Sequence, residues 1–171
     1  MKRMMCLLAG VALAVSSVSA AESLHAGIMT GTTGALIKAG GVKADAGSVT
    51  QKKYLFIYFS AHWCPPCRAF TPKLVEFYNA NKGKGDFELL FVSSDKTQDA
   101  MNGYMSETHM PWIGLTRDCQ RTNALKQQFG VRGIPCLVLL DDHDQVLASS
   151  FQGEKYLGPQ TALTKYLALH K

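Results

Sequence analysis

Tyr54-Leu-Phe-Ile-Tyr-Phe-Ser60, followed by Ala61-His-Trp-Cys-Pro-Pro-Cys67, is the stretch that decides the fold. An apolar and aromatic run this short and continuous reads as a central strand buried on both faces. Beyond Cys67 the apolar spacing changes to three or four residues, through Phe70, Leu74, Phe77 and Tyr78, and predicts a helix to about Asn81. Pro72 inside it removes one backbone donor and is expected to kink it. A buried strand therefore runs through a C-x-x-C directly into a helix.

The same grammar repeats outward from this unit. Phe87 to Ser93 and Cys136 to Leu140 are further buried strands, with Lys82 to Asp86 as a loop between helix and strand. Thr97 caps a helix to His109 that carries Met101, Tyr104 and Met105 on one face. Met110 to Leu115 reads as an apolar connector, and Asp118 to Phe129 as a helix stopped by Gly130. Asp141 to Asp144 turns into a hairpin partner at Gln145 to Ser150, and Pro159 opens a last helix to about Leu169. Ala35 to Val42 suggests a short hairpin or strand with a turn, and the residues from Glu22 to Gly34 an irregular lead-in. Strands interleaved with helices give an α/β sandwich around a mixed sheet.

Chain length and composition agree with one domain. The 171 residues are 47% hydrophobic and 18% charged, enough for a single core at about 150 residues per domain. The net charge of +5 is mild and scattered, so neither nucleic acid nor an anionic membrane is demanded as partner. Lys2 and Arg3 head an apolar run from Met4 to Val15, which ends in small residues at Ser16 to Ala20. That order is the signature of a secretory signal peptide cut after Ala20, and the run is too short for the roughly 20 residues of a spanning helix. The expectation is a leader at 1–20 and one domain at 21–171, exported to a periplasm or secreted.

Export leaves Cys64, Cys67, Cys119 and Cys136. A domain of this size has no need of a disulfide framework, and a bridge across so short a loop as Cys64 to Cys67 constrains the unfolded chain little. The pair reads as chemistry. Cys64 at a helix N-terminus meets unpaired amide donors and the positive end of the helix dipole, which favour a thiolate. Thiolate attacks disulfides, so Cys64 is the candidate nucleophile, exposed to its partner, and Cys67 one turn on resolves the mixed disulfide. Pro65 and Pro66 fit a first turn, where backbone donors lack partners, and stiffen the spacing. A purely structural bridge stays open beside this reading. A zinc site lacks a second ligand pair, and covalent haem is excluded by Arg68, where a histidine would stand.

Tyr58 to Tyr78, with Trp63-Cys-Pro-Pro-Cys67 at its centre, resembles the tryparedoxin and nucleoredoxin branch of the thioredoxin superfamily. Phe91-Val-Ser-Ser-Asp95, Met110-Pro-Trp112 and Phe129-Gly-Val-Arg-Gly-Ile-Pro135 fit its later blocks, and the likeness runs from about Leu36 to Leu169. The resemblance implies a thioredoxin-like fold and a protein thiol–disulfide oxidoreductase. It makes Pro135 a cis-proline, and Trp63, Pro65, Pro66, Ile134 and His62 support a substrate groove around the cysteines. It implies no metal and no cofactor beyond the redox-active disulfide Cys64–Cys67.

Three positions depart from the wider pattern. Tyr58 stands where ordinary thioredoxins bury a carboxylate six residues before the first cysteine, so another group or water moves the proton of Cys67. His62 is either a cation that stabilises the Cys64 thiolate or a bland surface residue. Cys136 follows Pro135 where the family usually has threonine, and is a buried small hydrophobe, a third thiol for exchange or soft-metal binding, or the partner of Cys119.

The function expected is an exported reductase or isomerase acting on thiols and disulfides of other exported proteins. Its electrons would come from a membrane thiol donor. A disulfide-forming oxidant and a copper-handling protein using Cys64, Cys67 and a histidine are the alternatives. A monomer is expected, with no nucleic-acid partner and no stable insertion in a membrane.

Overall fold

The computed structural model describes residues 23–171. The leader read at 1–20 and the domain boundary at residue 21 lie outside the described residues. The elements run α1 Ala26–Met29, β1 Leu36–Ile37, β2 Lys43–Ala44, α2 Gly47–Thr50, β3 Tyr54–Ser60, α3 Pro65–Asn81, β4 Phe87–Ser93, α4 Gln98–Glu107, β5 Ile113–Leu115, α5 Arg121–Gln128, β6 Cys136–Leu140, β7 Val146–Ser149, β8 Phe151–Gln152, β9 Lys155–Tyr156 and α6 Gln160–Ala168.

Seven strands form a mixed sheet in the order β2-β1-β5-β4-β3-β6-β7. β3, β4 and β5 are parallel, while β6 runs antiparallel to β3 and β1 antiparallel to β5. Alternation along β3 splits the core. Tyr54, Phe56 and Tyr58 face a cluster with Phe70 and Leu74 of α3, Met101 and Met105 of α4 and Tyr166 of α6. Leu55, Ile57 and Phe59 face the other way, toward Ile28 of α1, Val49 of α2 and Leu125 of α5. Both faces are covered, which is why β3, β4 and β6 are almost wholly apolar, Glu88 of β4 being the one charged residue among them. Each fully buried phenylalanine here contributes about 2–3 kcal/mol of transfer free energy.

The expected α/β sandwich is present, and β3, β4 and β6 have the predicted bounds. Elsewhere tertiary contacts redraw the elements. The lead-in holds a helical turn, α1, whose Ile28 and Met29 are buried. It is fixed by buried His25, with Nδ1 2.7 Å from Asp144 Oδ1 and Nε2 3.0 Å from the Lys52 carbonyl oxygen. The connector at Met110 to Leu115 contains β5. Its Gly114 leaves room for Met101 and Met105, since a Cβ there would lie 2.7 Å from Met101 Cε. α5 begins at Arg121, so Cys119 lies in the turn before the helix.

α3 runs on through Pro72 without a break. Pro72 and Arg68, whose carbonyl loses its helical donor to the proline, are both exposed. After β7 the chain makes a second small hairpin, β8–β9, in the stretch between Ser150 and Pro159 to which the sequence reading assigns no element. Among the described residues no helix is long and apolar enough to cross a membrane.

Candidate active site

β3 and β4 are in register from Tyr54 opposite Phe87 to Ser60 opposite Ser93. Their carboxyl ends are therefore level, and the C-x-x-C loop springs from that end into α3. Cys64 is the N-cap of α3, with Pro65 and Pro66 in its first turn. Cys64 and Cys67 form a disulfide with their Cα atoms 5.2 Å apart. The Cys67 backbone N–H donates to Cys64 Sγ at 3.3 Å, the contact expected of a sulfur over a helix start.

Cys64, expected to be exposed, retains only 4% of its surface, and Cys67 none. Two packed sulfurs and the Ile134 wall account for this. Ala61, Cys64, Cys67 and Ile134 make a small apolar cluster of their own. Cys64 Sγ lies 3.7 Å from the Ile134 carbonyl oxygen, and the Ile134–Pro135 peptide is cis. Trp63 is the exposed member of the motif at 59%. Trp63, Pro65 and Pro66 lie in the loop and first helical turn that carry the sulfurs, and Ile134, followed by Pro135, packs against them.

What fixes the loop has no counterpart in the sequence reading. Asp95, just past β4, is buried; its Oδ1 accepts the His62 backbone N–H at 2.8 Å and its Oδ2 accepts the Ser93 hydroxyl at 2.8 Å. Trp63 Nε1 donates to the Ser94 carbonyl at 3.1 Å, and Ser94 N–H donates to the Ser60 carbonyl at 2.8 Å. The signal available was the Phe91 to Asp95 block, which carried a family likeness but no role. The His62 side chain turns away from the sulfurs. Its Nε2 meets Glu107 Oε2 of α4 at 3.0 Å, its ring lies 5.5 Å from that of Tyr104, and none of its hydrogen bonds reaches a cysteine.

Beneath Cys67 lies a cluster of hydroxyls. Tyr58 Oη is 2.8 Å from Thr71 Oγ1, which is 2.6 Å from Tyr104 Oη, itself 3.1 Å from Ser60 Oγ. Thr71 also donates to the Cys67 carbonyl at 3.0 Å. Burial first, and then neighbouring Tyr104, pushes the Tyr58 hydroxyl far above its ordinary range, so it stays protonated. Tyr58 brings a neutral donor to the position where a carboxylate would sit.

Cys136 opens β6 opposite Phe59, and its side chain belongs with Phe59, Ile57 and Val138 on the α5 face of the sheet. The third thiol therefore packs apart from the disulfide cluster, on the sheet face opposite the one α3 covers. Burial pushes it up to about 11, only partly offset by hydrogen bonds from Ser150 and Ser149. Cys119, half-buried, and Cys136 are both free. Among the described residues no group of three or more His, Cys, Asp or Glu side chains is placed to hold a metal ion.

A family model described as thioredoxin-like matches residues 51–146. Probable nucleoredoxin 1 of Arabidopsis thaliana is 41% identical over 128 residues, covering 74% of this chain and 22% of that protein. Tryparedoxin of Trypanosoma brucei brucei is 40% identical over 114 residues, covering 66% of this chain and 76% of that protein. Among solved structures, thioredoxin from Wuchereria bancrofti aligns with a TM-score of 0.63 at 36% identity, over 78% of this chain and 94% of that one. The chain spans about a quarter or less of the length of the nucleoredoxins it matches.

Proposed function

The chain belongs to the thioredoxin-like family, and on that premise we propose that it is an exported thiol–disulfide oxidoreductase that reduces or isomerises disulfides of other exported proteins. The observation that carries the reading is Cys64 at the start of α3, bonded to Cys67 one turn on and receiving the Cys67 N–H at its sulfur. In the dithiol form, Cys64 thiolate attacks one sulfur of the substrate disulfide. The substrate S–S bond breaks, a mixed disulfide forms, and the departing sulfur takes a proton. Cys67 then gives up its proton and attacks Cys64 Sγ, releasing the second substrate thiol and closing Cys64–Cys67. Two electrons have passed to the substrate, and a membrane thiol donor would return them.

The helix start lowers the cost of negative charge on Cys64. Trp63, Pro66, Ile134 and Pro135 present the substrate chain. His62 acts through Glu107 and α4 rather than on sulfur. The leader pattern at 1–20 supports export, where disulfides persist as substrates.

Reduction of insulin disulfides by the protein tests the reading, and Cys67→Ser is expected to accumulate mixed disulfides through Cys64. A protein that neither reduces insulin nor traps a partner would refute it. A reduction potential close to that of strong oxidants would reverse the direction. Retention of Met1 in protein from the exported fraction would refute cleavage.

A further inference from the structure

Tyr156 lies outside every motif that pointed to the site, and is 49% exposed on β9. Its hydroxyl nevertheless donates to the Pro135 carbonyl at 2.8 Å. The small hairpin that carries it touches the same loop twice more. Arg132 Nη1 meets Glu154 Oε1 at 2.9 Å, and Phe151, whose ring packs 5.0 Å from that of Tyr156, closes over Gly133. The hairpin thus braces the segment that ends in Ile134, whose carbonyl lies against Cys64 Sγ. The Arg132–Glu154 pair is exposed and contributes little by itself. The half-buried hydroxyl bond is the specific contact. Burial, followed by the neighbourhood of Cys136, raises the Tyr156 hydroxyl above its ordinary range and keeps it a donor at working pH.

The outer face of the same ring is also used. With Pro66, Phe70, Pro135 and Pro159 it lines a recess of about 300 Å³, and Lys73 stands at its margin. Pro66 and Pro135 belong to the disulfide's own surroundings, so the recess continues that surface on a different flank from Trp63 and Asp95. It is walled by two aromatic rings, Tyr156 and Phe70, and three prolines, stiff apolar groups that lose little entropy on contact. A flexible polar chain gains little there. An apolar side chain beside a reacting cysteine gains most.

We propose that Tyr156 is a positioning and specificity residue: its hydroxyl holds the Pro135 carbonyl, and its ring walls the recess that takes an apolar side chain flanking the substrate's reacting cysteine. The inference rests on the oxidoreductase reading and adds to it a residue and a preference. Small disulfides do not reach the recess, whereas polypeptides do.

The test uses the full chain with Tyr156→Phe, which keeps the ring and loses the hydroxyl, and Tyr156→Ala, which loses both. Insulin serves as polypeptide disulfide and 5,5′-dithiobis(2-nitrobenzoate) as small disulfide. The ratio of kcat/KM for insulin to that for the small disulfide is expected to fall about fivefold in Tyr156→Phe, the factor set by one neutral hydrogen bond. It falls further in Tyr156→Ala, with the added loss in KM for insulin. Hydrogen exchange at the amides of Arg132, Gly133, Ile134 and Cys136 quickens in Tyr156→Phe, while exchange in β3 stays as in the wild type. A ratio within twofold of wild type in both variants, or unchanged exchange in that segment, overturns the proposal. Parallel loss on both disulfides with a lowered melting temperature overturns it too, because that is the signature of a merely structural residue. Wild-type protein that reduces neither disulfide sinks the oxidoreductase reading itself, and the specificity of Tyr156 falls with it.

Discussion

Cys67 and Cys136 lie near the same end of the sheet, and neither exposes any surface. Cys67 stands one helical turn past its partner Cys64, an N-cap that keeps 4% of its surface and whose sulfur already receives a backbone amide. Cys136 stands in a strand opposite Phe59, in a mainly apolar neighbourhood where Ser149 and Ser150 supply its hydrogen bonds. Burial penalises a thiolate in both places. Amide donors at a helix start offset that penalty at Cys64, the partner of Cys67, whereas the hydrogen bonds from Ser150 and Ser149 offset it only in part at Cys136. The difference shows that backbone context, more than cysteine content or depth, separates a redox thiol from a packing thiol.

Activity should split the two regions most widely. Cys64→Ser is expected to lower the insulin-reduction rate roughly a thousandfold or more, because it removes the proposed nucleophile. Cys136→Ala should keep the rate within about twofold, since its side chain fills the other face of the sheet. A large loss of rate in Cys136→Ala, in a variant with an unchanged melting temperature, would erase the contrast.

Thiol reactivity sharpens it next. With the disulfide intact, the raised value of about 11 leaves Cys136 about a hundredfold less thiolate at pH 8 than an ordinary cysteine. Maleimide labelling of the oxidised native protein should therefore modify Cys119 well before Cys136, and both only after denaturation. The same shift carries a stability consequence. A thiol whose folded value lies above its unfolded value of 9.0 binds its proton more tightly in the folded state. Its contribution is complete below pH 9 and is lost as pH rises toward 11, about 2–3 kcal/mol in all. Denaturant midpoints of wild type and Cys136→Ala should converge across that window. Parallel curves would mean the thiol is not buried as described.

The smallest effect concerns the floor beneath Cys67. Thr71→Val keeps the shape of the side chain but removes the hydroxyl that links Tyr58, Tyr104 and the Cys67 carbonyl. Leaving buried hydroxyls without a partner costs about 1–3 kcal/mol, a fall of roughly 3–10 °C in melting temperature for a domain of this size. If the melting temperature of Thr71→Val matches wild type, the hydroxyl cluster is not what holds that turn.

The sequence alone fixed whatever leaves a local periodic trace. β3, β4 and β6 are covered on both faces, so each reads as a mostly apolar run, interrupted by a charge only at Glu88 of β4, and the predicted bounds match the observed ones. The C-x-x-C between a buried strand and an amphipathic helix located the disulfide, and Thr97 marked the start of α4, where its side chain accepts the Ala100 N–H. Tertiary structure decided the rest. β5 is only Ile113–Leu115, too short for a period, and is a strand because β4 and β1 flank it. α1 is a single turn held by buried His25, which bonds residues far along the chain. Asp95 holds the His62 amide across 33 positions, and Tyr156 holds the Pro135 carbonyl across 21. Single side-chain hydrogen bonds over such distances leave no pattern in neighbouring residues, because only the packed sheet brings their two ends together.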